Sequence, residues 1–460
     1  MIRLRSLLPL LVLLLAVSVA AQDSPIHAGP MLGPITHREA TVWVQTVDPA
    51  EVQLRYTVTA LLEGGPTPRT AFITTEPITA NAANDHIATF RLANLEPGWT
   101  YTYHVLVNDE EFSRPYPFSF TTQPLWQWRT DPPTFTAALG SCNYVPDTPY
   151  DRPGDPYGGE HEIFETMAGM NPDLMLWLGD NVYYREVDWW SPEGLAYRNR
   201  HDRALPELQR LLAAVPNYAI WDDHDFGPNN SDRSYILKGA ALDVFQRYWP
   251  NPTYGLPGTP GAFYQFQFAD VEFFMLDNRY YRTPNNAPED PEDDTILGHA
   301  QLQWLLDALQ ASYAPFKVVA IGGQVLNPNE VFETYANIAP AERQFLLDEI
   351  GRRDIWGVMF LSGDRHHTEL NRMDREDAYP LYEFTSSPLT SGAATNPRDS
   401  TNVYRVDGTL VAGQRNFGTM TVEGPRTNRV MTLRTYATDG ALLWEHRIEA
   451  NELRPQREED

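Results

Sequence analysis

The sequence predicts an α/β domain whose strand ends converge on one site, preceded by an immunoglobulin- or fibronectin-like β-sandwich. Three observations carry this. Between residues 134 and 361, five apolar runs each stop abruptly in a polar cluster, as strands of an open α/β sheet do where ligands bind beyond their carboxyl ends. Segments of helical periodicity alternate with those runs. Ahead of them, residues 25–123 consist of short alternating segments separated by Gly, Pro and Asn, the pattern of a sandwich.

In chain order, residues 1–21 read as a secretory signal. Arg3 and Arg5 form the charged start, Leu7 to Val19 the apolar middle, and Ser18-Val-Ala20 the small-residue cleavage site. The arginines are not adjacent, so the expectation is Sec-type export, to a periplasmic or extracellular location. In the 25–123 unit, Thr41–Gln45, Val52–Tyr56 and Tyr101–Val107 are the clearest strands. The Pro-Gly turn of Leu95–Tyr101 leads into an aromatic strand as at the corner of such sandwiches. Residues 124–133 are a linker, and residues 134–453 form the second domain. Its strands are Thr134–Leu139, Leu174–Leu178, Asn217–Trp221, a hairpin of Ala262–Phe268 and Val271–Leu276, Lys317–Ile321 and Trp356–Leu361. Helices are expected at His161–Met170, Glu193–Ala214, Ser234–Trp249, His299–Ser312 and Pro340–Arg352. Strands near Asn416–Gly418, Arg429–Tyr436 and Leu442–Ile448 close a second sheet.

The formal charge of −26 disfavours a nucleic-acid polyanion as the main partner, because phosphate-backbone binding rests on Lys and Arg. Any anionic ligand must then be attracted by bound cations. No later apolar stretch approaches the ~20 residues of a membrane span. Neither a transmembrane segment nor an obligate protein partner is expected.

The most informative run is Leu174-Met-Leu-Trp-Leu-Gly-Asp-Asn-Val-Tyr183. A carboxylate able to bridge two cations, followed three residues later by a phenol, suits Fe(III) better than Zn(II). The other tips are Gly140-Ser141-Cys142-Asn143, Asp222-Asp223-His224-Asp225, Gly322-Gly323-Gln324 and Ser362-Gly363-Asp364-Arg365-His366-His367. Cys142 is the one cysteine and has no disulfide partner within the chain. At a strand tip in this series it reads as a metal ligand, since a thiol beside a cation is deprotonated and bound.

The series Cys142, Gly179-Asp180, Asp222-Asp223-His224-Asp225, Gln324 and Gly363-Asp364-Arg365-His366 resembles the calcineurin-like metallophosphoesterases. Within them it is similar to the alkaline phosphatase D (PhoD) family, and Tyr183 also resembles purple acid phosphatases. The resemblance covers about Phe135 to Leu453 and implies a metallophosphatase fold, a two-sheet β-sandwich flanked by helices. It further implies that one metal takes Cys142, Asp180, Tyr183 and His366, and the other Asp180, Asp223, Gln324 and Asp364. The first set favours Fe(III); the second, all oxygen, favours Ca(II). Zn, Mn and Mg are the alternatives.

The function so implied is hydrolysis of small-molecule phosphate esters, monoesters and also diesters, by a hydroxide held between the cations. His224 would protonate the leaving alkoxide, with Asp225 orienting it. Asn143, Asn230 and Arg279 are candidate substrate-binding residues. Two other readings stand beside this: a phosphodiesterase or phospholipase-like hydrolase using the same metals, and a non-catalytic surface-binding protein.

Overall fold

The computed structural model describes residues 24–60, 71–288, 290, 293–331, 333–376, 378–397 and 401–455. The signal segment expected at residues 1–21 lies outside them. The N-terminal unit contains β1 (Ile26–Ile35), β2 (Ala40–Thr46), β3 (Ala50–Ala60), β4 (Ile73–Thr74), β5 (Ile78–Ala80), β6 (Ile87–Leu92), β7 (Thr100–Val107), β8 (Glu110–Phe112) and β9 (Ser119–Thr121). One sheet runs β1-β2-β6; the other runs β4-β3-β7-β8, with β5 and β9 beside β3 and β7. Alternate residues of the two sheets, among them Val42, Val44 and Phe90 against Leu54, Tyr103 and Val105, share one core. At the expected corner, Glu96 N donates to the Tyr101 hydroxyl at 2.8 Å.

The second unit is built from β10 (Phe135–Gly140), β11 (Leu174–Leu178), β12 (Asn217–Ile220), β13 (Tyr264–Phe268), β14 (Val271–Met275), β15 (Phe316–Ala320), β16 (Val358–Ser362), β17 (Glu369–Arg375), β18 (Ala378–Thr385), β19 (Asn416–Glu423), β20 (Val430–Ala437) and β21 (Leu442–Glu449). These make two six-stranded sheets, ordered β12-β11-β10-β19-β20-β21 and β13-β14-β15-β16-β18-β17. In the first, β10, β11 and β12 are parallel and β19 joins β10 antiparallel. In the second, β14, β15, β16 and β18 are parallel.

The strand sequences explain the layering. Leu174, Leu176 and Leu178 point into a core shared with Phe273, Val318 and Phe360 of the other sheet. Met175 and Trp177, on the opposite face, pack with Phe164, Leu212 and Phe245 from helices. A run buried on both faces must be apolar throughout, and each such side chain contributes about 1.5–3 kcal/mol. Helices His299–Ala311 and Pro340–Arg352 cover the second sheet through Leu305, Leu306, Leu347 and Ile350. The expected two-sheet sandwich flanked by helices is therefore the observed one.

Two elements differ from expectation. The helix read as Glu193–Ala214 is two, Pro192–Arg203 and Gln209–Ala214, with a 3₁₀ turn Pro206–Leu208 between them. Pro206 lacks the N–H that a continuous helix needs, but its fixed φ suits the start of a new turn. The β17–β18 hairpin was not expected, because Glu369-Leu-Asn-Arg-Met-Asp-Arg375 reads as polar; Glu369 and Asn371 are nevertheless wholly buried.

The two units are packed together. Asn217 Nδ2 donates to Leu32 O at 3.0 Å, Trp43 Nε1 to Arg247 O at 2.9 Å, and Gly29 N to Gln209 Oε1 at 2.7 Å. Asn217 also opens β12, so the sandwich braces a strand that leads into the acidic cluster.

Candidate metal centre

The tips of β10, β11, β12 and β16 meet, and backbone hydrogen bonds lace them together. Cys142 N donates to Gly179 O at 3.2 Å, Asn143 N to Asp180 O at 2.8 Å, and Gly363 N to Gly322 O at 2.7 Å. At these tips Cys142, Asp180, Asp364 and His366 all take positive φ, between 51° and 64°. Such backbone is rare for Cys and His and typically costs about 1–3 kcal/mol per residue. It turns each side chain sharply off its strand toward a common centre.

One half of that centre is Cys142, Asp180, Tyr183 and His366. Tyr183 OH lies 3.2 Å from both Asp180 Oδ2 and His366 Nε2, and Cys142 Sγ lies 3.5 Å from Asp180 Oδ2. The His366 ring is oriented by Nδ1, 2.6 Å from Gly392 O and 3.1 Å from Tyr157 OH. An Nδ1–H donated to the carbonyl leaves the Nε2 lone pair facing the cluster. Ser387 ties the group together, its Oγ 3.2 Å from Cys142 Sγ and accepting from His366 N at 3.0 Å.

The other half is acidic. Ligand atoms of Asp180, Asp223 and His224 lie within 4.8 Å of one another, as do those of Asp222, Asp223 and Asp364. Asp180 thus belongs to both halves. Asp223 Oδ2 accepts from Asn230 N at 2.6 Å, and Asp180 Oδ1 from His224 N at 3.2 Å. Arg279 is fully buried and pairs with Asp222 and Glu333.

The electrostatics ask for cations. Burial, followed by the Asp223 and Cys142 charges, pushes the Asp180 carboxyl well above the usual range. Burial likewise raises Asp222 despite Arg279, and Asp364 despite Arg365. Asp223 is held low in spite of burial by His224, Arg279 and the Asn230 N–H. Burial pushes the Cys142 thiol up to about 11 and the Tyr183 phenol well above its ordinary value. Asp222 Oδ2 and Asp223 Oδ1 are buried without a hydrogen-bond partner. An orphaned buried carboxylate oxygen costs several kcal/mol unless a cation meets it, so this donor set fits bound metal.

The expected residues therefore divide. Cys142, Asp180, Tyr183 and His366 are brought together, and Asp223 stands with Asp180 in one acidic group and with Asp364 in another. Gln324 is not seen joining them: its amide donates to Glu369 Oε1 at 2.8 Å and Thr385 Oγ1 at 2.9 Å and accepts from Asn327 at 2.8 Å. Asp222, unassigned from sequence, stands in the acidic half instead. Room for it exists because position 322 has no side chain, since a Cβ on Gly322 would sit 2.5 Å from Asp222 Cγ. The adjacent acids Asp222-Asp223 were the available signal, but nothing in their order says that both point inward.

Asp225 does not orient His224. Its Oδ1 accepts from Asn181 N and Nδ2, each at 2.9 Å, and its Oδ2 from Asp222 N at 3.0 Å, so it fixes the loop backbone. Asn143 is buried, donating to Asn181 O at 3.0 Å and accepting from Thr390 at 3.0 Å, which leaves it committed to the scaffold. Arg279 is a buried counter-charge and not an open phosphate clamp. Asn230 is exposed at the rim of a second cleft that Asp364 and His366 also line. His224, against the Tyr183 ring at 4.1 Å between centroids, lines the larger of these two clefts.

Known proteins share this fold. Alkaline phosphatase D of Bacillus subtilis (strain 168) is 25% identical over 359 residues, covering 65% of this chain and 59% of that protein. The chain thus spans well under two thirds of the length of this curated relative. A solved structure of PhoD superposes with a TM-score of 0.73 at 18% identity, covering 93% of each chain. The purple acid phosphatase PPD1 from yellow lupin (Lupinus luteus) seeds gives 0.63 at 13% identity, over 92% of this chain and 74% of its own. These two show a shared fold. Residues 23–125 match a domain of unknown function (DUF7800). The profile of the PhoD-like phosphatases matches residues 138–426, which hold every residue of the centre, and the chain belongs to that family.

Proposed function

We propose that the protein is an exported, metal-dependent phosphoric ester hydrolase of the alkaline phosphatase type, acting on phosphomonoesters and, more broadly, on diesters. The observation that carries this reading is the buried pair of half-sites sharing Asp180, with orphaned oxygens on Asp222 and Asp223. Cys142, Asp180, Tyr183 and His366 would hold the first metal, and Asp180, Asp223, Asp364 and Asp222 the second. The mixed donors favour Fe(III) in the first set and the oxygen donors Ca(II) in the second, with Zn, Mn or Mg as substitutes. Bound there, the metals would supply an activated water and neutralise charge developing on the phosphoryl oxygens.

The chain's own groups then place and protonate. Arg279, bonded to Asp222 and near Asp223, holds those carboxylates in position without reaching solvent. Asn230 N–H fixes Asp223. His224 stands between the centre and the open cleft, the place from which a departing alkoxide can take a proton. Burial lowers the His224 pKa, with Asp223 opposing it, which makes its imidazolium a stronger acid and reduces the protonated share at neutral pH.

The test is turnover of a chromogenic phosphomonoester beside its diester analogue. The monoester should be hydrolysed faster by the purified metal-loaded protein. Diester turnover alone would favour the phosphodiesterase reading, and turnover of neither would favour a binding protein.

A further inference from the structure

A cleft of about 740 Å³ opens beside His224 and Tyr183, and its wall is unusually aromatic: Tyr144, Tyr150, Tyr157, Tyr183, Tyr184 and Trp189. Tyr183 and Tyr184 are buried, whereas Tyr150 and Tyr157 are 43% and 44% exposed and Trp189 is half-buried. Open aromatic faces therefore sit where a leaving group would lie if phosphorus occupied the metal centre.

The wall is built and held. Asp151 accepts from Tyr144 OH at 2.7 Å, from Arg185 Nε at 2.9 Å and from Asp147 N at 2.8 Å. Tyr157 is tied to the centre through His366 at 3.1 Å and to Arg415 through its carbonyl at 3.3 Å. Pro149, Pro153 and Pro156 stiffen the segment between these anchors. A wall ordered beforehand spends little binding energy on its own ordering.

Its charge is equally specific. The guanidiniums lining the cleft are both engaged, Arg185 with Asp151 at 2.9 Å and Arg152 with Glu186 at 3.6 Å, and Asp155 adds an anion. Arg185 is buried, whereas the Arg152 side chain is 83% exposed and its pair with Glu186 faces solvent.

We infer that this cleft receives the leaving group and selects esters whose alcohol carries a flat aromatic ring, such as nucleoside monophosphates and aryl-substituted alkyl phosphates. The inference rests on the phosphatase reading and names its substrate class. In the reaction the P–O bond to the alcohol breaks, the oxygen of water joins phosphorus, and a proton from that water balances the departing alkoxide.

The experiment measures kcat/KM for matched pairs that release a primary alkoxide, so that bond-breaking chemistry is nearly constant. Adenosine 5′-monophosphate is set against ribose 5-phosphate, and benzyl phosphate against cyclohexylmethyl phosphate. The aromatic member of each pair should be favoured at least about tenfold, the scale of one ring stacked on one aromatic side chain. The double variant Tyr150→Ala with Trp189→Ala should shrink both ratios toward one. Tyr150→Phe, which keeps the ring, and Tyr313→Ala, at an exposed position outside the cleft, should leave them as they are. Equal rates within each pair, or ratios indifferent to the double variant, would overturn the inference and leave the phosphatase reading standing. Absence of turnover on every ester by metal-loaded protein would overturn both.

Discussion

His224 Nδ1 is buried without a hydrogen-bond partner, and Nε2 lies 3.9 Å from Asp223 Oδ2. An imidazole so weakly held is suited to moving a proton more than to bracing a ligand. His224→Asn should therefore keep both metals and lose roughly 10²–10⁴-fold in rate on esters with poor alkoxide leaving groups. Esters that release an acidic phenol should be largely spared. Measuring kcat/KM across graded leaving groups checks this, and an equal loss along the series would assign His224 to positioning instead. Cys142 poses the complementary question. Its thiol is fully buried, and only a nearby cation would make it a thiolate. Cys142→Ser should lose iron, the visible charge-transfer band and most turnover while circular dichroism stays unchanged; retained iron at normal stoichiometry would make it core filling. Cys142, Asp180, Tyr183, Asp223, Asp364 and His366 were singled out from sequence by the apolar runs they follow and by the resemblance to the PhoD family, and the fold brings their side chains near one another. Gln324, Arg279 and Asn143 follow strands just as closely. Their side chains turn to Glu369, to Asp222 and Glu333, and to Asn181 and Thr390, partners distant in sequence that no local pattern announces.

The strand-tip loops work as elements because small residues let them approach. A Cβ at position 322 would meet Asp222 Cγ at 2.5 Å and Asn278 Nδ2 at 2.6 Å. Gly322→Ala should displace the Asp222 carboxylate and weaken metal binding about 10–100-fold, the usual scale for residues that position ligands. Calorimetric titration of metal into stripped protein reads this directly, and unchanged affinity would show that Asp222 is not needed. A continuous apolar strand such as β11 was readable since burial on both faces favours apolar residues throughout. The β17–β18 hairpin was not, because Glu369 and Glu383 are carboxylates spent inside the protein. Glu383 accepts from Val325 N at 2.7 Å and Leu326 N at 2.8 Å, and Glu369 pairs with Arg405. A buried strand carrying satisfied charges looks in sequence like a loop.

At the scale of the whole molecule, the centre gathers several carboxylates, mostly buried and only partly offset by Arg279, and this should govern stability. With the metals removed, Asp180, Asp222 and Asp364 are raised by burial. Acids with folded pKa values above their unfolded ones bind protons more tightly in the native state. Their stabilising contribution is complete below about pH 4 and is lost as pH rises through their raised folded values. Metal takes the place of those protons, so the gain in Tm on loading should be larger at pH 8 than at pH 5. Scanning calorimetry of stripped and reloaded protein at both values measures it; equal gains would mean that the carboxylates are not displaced from protons by metal. The order of elements and the converging strand tips followed from hydrophobic patterning, but the docking of the sandwich did not, since it rests on hydrogen bonds and apolar packing between distant segments, Met31 and Trp43 sharing a core with Tyr248 and Trp249.

The central claim is that this buried centre hydrolyses phosphate esters only with cations bound. The most direct measurement is turnover of a chromogenic phosphomonoester by one preparation as purified, after removal of its metals by a chelator, and after their return, with metal content determined at each stage. Activity should vanish with the metals and come back as iron and calcium are restored. Full turnover by protein shown to be metal-free would contradict the account.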